Sequence, residues 1–133
     1  MLASIYNQIS KILTDKGFRS SYVYENNNYE NRLDARFATI DVLSDRSVGK
    51  AISNDGNVFE EYELEVKISM YFKPSETINA VEECSDTLLQ SFYQSKNLNI
   101  TSIFTNSVRY SSVYKCLKSE MIFKLSYLLE GVS

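Results

Sequence analysis

Residues 62–72 read YELEVKISMYF, and Tyr62, Leu64, Val66, Ile68, Met70 and Phe72 occupy every second position without a break. Between them stand Glu63, Glu65, Lys67, Ser69 and Tyr71. Successive side chains of a strand point to opposite faces, so this alternation predicts one long strand with a buried face and a wet, partly acidic face. At roughly 3.3 Å per residue it spans about 36 Å, at the top of the usual range for a small domain. Some part of the fold has to use that excess length.

The flanking segments supply partners for such a strand. LASIYNQISKILTDKG puts Leu2, Ile5, Tyr6, Ile9, Ile12 and Leu13 on one helical stripe, closed by Lys16 and Gly17. FRSSYVY, residues 18–24, has strand chemistry, and ENNNYENRLD carries the Asn and Asp side chains that favour a surface loop. ARFATIDVL, residues 35–43, returns to a strand with Ala38, Ile40 and Val42 on one face. SDRSVGKAISNDGN then holds two of the four glycines and the strongest turn signal, Asn54–Asp55–Gly56. Two geometries fit it: a tight hairpin with a strand from about Val48 to Ser53, or a long mobile loop between strands at 35–43 and 58–72. The hairpin is preferred, with Ser44–Asn57 as an arm that protrudes from the domain and takes up the surplus length.

Pro74 stops the long strand, and Ser75 is expected to cap a helix starting near Glu76. Its buried stripe is Ile78, Val81, Ser85, Leu88, Leu89 and Phe92, and Glu76, Glu82 and Glu83 sit early, where the helix dipole favours negative charge. SIFTNSVRY and LKSEMIFKLSYLL complete the chain as strands joined by a hairpin around Ser111–Tyr114, with Met121, Phe123, Leu125 and Tyr127 alternating. The element order predicts a single α+β domain over residues 1–133: an antiparallel or mixed sheet, two amphipathic helices on one face and a protruding β-hairpin arm.

Composition narrows the function. The 133 residues are 44% hydrophobic and 23% charged, enough for one core and too apolar for disorder. Seventeen acidic against fourteen basic side chains give a net charge of -3, which argues against general affinity for nucleic acid or anionic membrane. No run approaches the length of a membrane helix and no leader pattern is present, so a cytosolic chain is expected. Cys84 and Cys116 form no CxxC motif and no histidine can join them at zinc, so free buried thiols are expected.

The absence of histidine also removes the commonest proton-transfer residue and the base of the familiar Ser and Cys nucleophile systems. No glycine-rich phosphate loop or nucleophile elbow occurs, so no catalytic residue and no cofactor is assigned. Asp41, Asp45 and Asp55 lack calcium-loop spacing, and no metal is expected. Glu61, Glu63 and Glu65 share one face of the long strand, either as a cation or acid/base site or, the preferred reading, as a solvated face that discourages edge aggregation. The ten tyrosines, among them Tyr24 and Tyr29, are either ordinary strand and loop residues or surfaces that become buried on association.

The leading amphipathic helix, RFATIDVL, the protruding SDRSVGKAISNDGN, the strand VFEEYELEVKISMYF running into KPSETINAVEECSDTLLQSF, and the closing LKSEMIFKLSYLL together resemble the tail terminator proteins of long-tailed phages. The resemblance covers nearly the whole chain and rests on element order. It implies a non-enzymatic structural protein that assembles as a ring, commonly a hexamer, on the last ring of a completed tail tube. Such a ring stops tube polymerisation and presents the surface for head-to-tail joining. The implied partners are copies of the chain, the tube protein, a neck or head-completion protein and, in contractile tails, the sheath, with DNA only passing through. The implied location is a virion tail or a tail-like bacteriocin particle, assembled in the host cytoplasm. Another head-to-tail connector or minor tail protein, or a cytosolic protein-binding module, is the alternative.

A closed ring needs two complementary patches per protomer, and an arm docked on a neighbour's sheet supplies them. Candidate contact residues are Arg46, Val48, Lys50, Ile52, Asn54 and Asp55 of the arm, with Tyr24 and Tyr29. Glu60, Glu61, Glu63 and Glu65, read as one line, are candidates for a negatively charged lumen through which DNA slides without sticking.

Overall fold

In the computed structural model, which describes residues 2–22 and 35–130, the alternating stretch belongs to a strand longer than the pattern alone predicts. The elements are α1 (Leu2–Asp15), β1 (Phe18–Tyr22), β2 (Arg36–Ile52), β3 (Val58–Tyr71), α2 (Ile78–Gln94), β4 (Asn99–Thr105), β5 (Arg109–Ser111) and β6 (Cys116–Glu130). They build one mixed sheet in the order β1-β2-β3-β6-β4, with β5 on β6 beyond the end of β4. Only β1 and β2 run parallel; the remaining pairs are antiparallel. The class is α+β, as the element order predicts.

Both helices cover the same face. Ala38 and Ile40 of β2, Leu64, Val66, Ile68 and Met70 of β3, and Met121, Phe123 and Leu125 of β6 form the sheet's contribution to the core. Ile5, Ile9 and Leu13 of α1 and Val81, Leu88 and Phe92 of α2 close over them. Each of the larger of these side chains, fully withdrawn from water, contributes about 1.5–3 kcal/mol. The period of two in the strands and of three to four in the helices is therefore the pattern of this one interface.

The helix ends are set locally. Gly17 takes φ 83 just beyond α1, a left-handed conformation that a residue without Cβ adopts at no steric cost, and its N–H reaches Thr14 O at 2.9 Å. At α2 the cap is Thr77, not Ser75: its Oγ1 accepts from Ala80 N at 3.2 Å. Glu76 accordingly lies outside the helix. Its carboxylate accepts from Lys73 N at 2.8 Å, folding the turn after the strand, and is gripped by Arg36.

Arg36 joins four segments at the closed end of the sheet. Its Nε donates to Glu76 at 2.9 and 3.2 Å, and its Nη1 donates to Lys16 O at 2.9 Å and contacts Cys84 Sγ at 3.4 Å. The guanidinium also lies 5.5 Å from the ring centres of Phe18 and Phe72. On the helix-free face a smaller cluster of Phe37, Tyr71 and Cys116 is packed by Tyr114, with Phe37 and Tyr71 stacked at 4.6 Å. Cys84 and Cys116 are free, and burial pushes both thiols up. Among the described residues, no helix is long and apolar enough to cross a membrane.

Candidate functional site: the outer half of the sheet

β2 does not end near Leu43 as its composition suggests. It continues to Ile52, absorbing Leu43 and Val48 at irregularities where the register with β3 slips by one residue. The preferred hairpin is present and the alternative mobile loop is not. Its turn closes with Ser53 N on Asn57 O at 2.9 Å and Gly56 N on Ser53 O at 3.0 Å, with Gly56 at φ 85. Asp55 accepts from the Ser53 hydroxyl, from Asn57 N at 3.3 Å and from Asn57 Nδ2 at 3.1 Å. These bonds, that from Ser53 foremost, hold its carboxyl below the usual range.

The arm differs from a free hairpin in one respect. β6 follows β3 outward as far as the pair Phe59–Glu130, so the projecting part is a three-stranded wing. The α1 side chains Ile5, Tyr6 and Ile9 reach Val42 and Leu64, and beyond that level residues 43–50 are all exposed. Ile52, at 73% exposure, is joined by Leu43, Val48, Val58 and Leu128 as exposed aliphatic side chains.

The wing's two faces carry different chemistry. On the helix side, the rings of Tyr62 and Tyr127 stack at 5.3 Å, Tyr127 donates to Asp45 Oδ1 at 2.8 Å, and Tyr62 donates to Glu60 Oε2 at 3.0 Å. Ser47 Oγ donates to the other oxygen of Glu60 at 3.0 Å. Burial, with the Asp45 carboxylate beside it, pushes the Tyr127 hydroxyl well above its ordinary range; the bond to Glu60 raises Tyr62. Glu60 thus does not stand in line with Glu61, Glu63 and Glu65. The strand's period of two turns it to the opposite face, so the four-residue row expected from the sequence is a row of three.

On the helix-free side Glu63 pairs with Arg46 at 3.0 Å, whereas Glu61 and Glu65 enter no ion pair among the described residues. Lys50 is exposed opposite Glu60, and Asn54 is exposed at the turn. The structure thus brings Arg46, Val48, Lys50, Ile52, Asn54 and Asp55 onto one projection. Tyr24, at the end of the strand expected over 18–24, and Tyr29, in the expected loop that follows, lie outside the described residues. Sequence reasoning overlooked Asp45 and Tyr127 as a pair. The one signal is that Tyr62 and Tyr127 each continue the core stripe of their own strand beyond helix cover.

A hollow of about 330 Å³ lies on the helix-free face among Thr39, Asp41, Lys67, Ser69, Tyr71, Tyr114 and Lys118. Its two ammonium groups are already engaged: Lys67 and Lys118 meet Glu120 at 3.2 and 2.8 Å, and Lys118 lies 5.4 Å from the Tyr71 ring centre. The hollow binds itself together and offers no uncommitted charge pair of lysines to a ligand. No protein-family model matches the chain, and no curated protein matches it significantly.

Proposed function

We propose that this chain is a structural subunit that assembles with copies of itself into a ring, in the manner of phage tail terminators, to cap a finished tail tube. In this reading the ring is a hexamer, it halts tube growth, and its upper surface receives the neck or head-completion protein. The particle is a phage tail or a tail-like bacteriocin. A sheath, where one is present, touches the same ring from outside.

The observation that carries this reading is the wing. A domain that only needed to bury its core would end β2 and β3 where helix cover ends, near Val42 and Leu64. Here both strands run on for several residues with aliphatic side chains in water, as expected of a surface covered in the assembled state.

Size-exclusion chromatography with light scattering, alone and with the tail tube protein encoded nearest to this chain, tests the proposal. A hexamer, or a monomer converted to a ring on tube ends, is the expected result. A monomer indifferent to tube protein overturns it and leaves a protein-binding module as the better description.

A further inference from the structure

We infer that the contact between copies is electrostatically directed: the acidic helix-free face of one wing seats on the basic β5–β6 turn of the next copy. This inference rests on the self-assembly reading above and names the surfaces it would use. Between Ser44 and Glu65 there are six carboxylates against the cations Arg46 and Lys50, and three of them, Glu61, Glu63 and Glu65, share the helix-free face. From Thr87 to Ser119 there is no acidic residue at all, while Lys96, Arg109, Lys115 and Lys118 are present.

The fold turns this uneven spacing into two separate patches. On the wing's helix-free face Glu61 stands beside its register partner Leu128, which is exposed, and Glu65 stands opposite Lys124 without a close ion pair among the described residues. Arg109 and Lys115 are exposed around the β5–β6 turn, enter no ion pair among the described residues, and flank Tyr110 and Val113 at 65% and 78% exposure. Each patch therefore combines uncovered apolar surface with a net charge, negative on the wing, where Glu61, Glu63 and Glu65 outnumber Arg46 and Lys124, and positive at the turn.

The two patches cannot meet within one molecule. β6 begins at the turn and runs out to the wing, and Lys124 and Leu128, the register partners of Glu65 and Glu61, lie about 30 and 43 Å along it from Lys115 at about 3.3 Å per residue. In the self-assembly reading their complement comes from another copy, and a contact between two different patches is heterologous, the kind that closes into a ring when the rotation permits. The carboxylate row is thereby assigned to a contact between copies and not to the wall of a lumen.

Sedimentation velocity on the full chain tests this with two surface variants, Glu61→Lys/Glu65→Lys and Arg109→Glu/Lys115→Glu. The wild-type chain should associate at about 50 mM salt and weaken markedly at about 500 mM, where the Debye length falls to a few ångströms. Each variant alone should bind itself about a hundredfold more weakly, because its altered patch repels the unaltered one. An equimolar mixture of the two should associate again, since each reversed patch then meets a patch of opposite sign; a misfolded variant would not be rescued by mixing. Wild-type association with variants that behave like wild type, or a mixture that stays monomeric, overturns this contact and leaves the ring reading intact. A wild-type chain that stays monomeric with or without tube protein removes both.

Discussion

β2 and β3 form one continuous ladder, but its two halves are held by different means. From Phe37 to Val42 the strands face each other under helix cover, and Ala38, Ile40, Val66, Ile68 and Met70 are removed from water. From Ser44 to Ile52 the same pairing continues with exposed β2 side chains, two irregularities of register and a few polar contacts such as Arg46–Glu63 and Ser47–Glu60. Backbone pairing alone is marginal in water, so the inner half stabilises the domain and the outer half is carried by it. A stretch retained without stabilising its own fold is where selection for contact with something else is to be sought.

The comparison breaks most sharply at Phe123. Its side chain is buried opposite Val66 and lies 5.2 Å from the Phe92 ring, under α2. Phe123→Ala should cost about 3–5 kcal/mol, from lost transfer energy plus a cavity, read as a lower urea midpoint. Val48→Ala, on the outer half of the same sheet, should stay within about 0.5 kcal/mol. Similar costs at the two sites would show that the wing shares the core's cooperativity.

A smaller effect is expected at the clamp below the inner half. Burial alone would raise the Glu76 carboxyl, but the bonds from Arg36 and Lys73 N outweigh it and hold the group below its ordinary range. Glu76 is thus bound more readily as a carboxylate in the folded state. Its contribution is fully present above the unfolded value, about 4.3, and is lost as pH falls through the lower folded value. Glu76→Gln should cost about 1–2 kcal/mol at neutral pH, the range of a hydrogen bond to a charged group in a partly exposed site. The gap between variant and wild type, measured by urea unfolding across an acid pH series, should narrow below pH about 4. A gap that persists undiminished into acid would mean that the carboxylate charge is not what Arg36 holds.

These two sites also mark what the sequence could and could not disclose. Phe123 was legible because burial under a helix repeats every second residue along a strand, and that period survives without knowledge of the partner. The Arg36–Glu76 clamp was not, because its members are forty residues apart and nothing local distinguishes them. The pattern puts Glu76 in a first helical turn, whereas its carboxylate engages Lys73 N and Arg36 and the cap is Thr77. The course of β2 through Ser44–Ser47 was hidden for a related reason: slips at Leu43 and Val48 break the alternation that identifies a strand. The turn at Asn54–Gly56 was legible because a left-handed glycine is a local requirement.

A small stability change is expected even from the largest alteration. Deleting Lys50–Gly56 removes the tip and leaves Asn57–Glu60 to connect Gly49 with its register partner Glu61. The loss removes exposed Ile52 and the self-contained turn around Asp55, but none of the side chains that meet α1 or α2. Such a variant should unfold within about 1 kcal/mol of the wild type, because low-burial segments add little to global stability. In light scattering it should still associate, since Glu61, Glu65 and Leu128 stay in place; a folded monomer that fails to cap tubes would extend the contact to the deleted tip. An unfolded product would place the tip within the cooperative core and erase the distinction between the two halves. A folded variant that still forms rings would confine the contact to the part of the wing between Ser44 and Gly49 and the strands beside it.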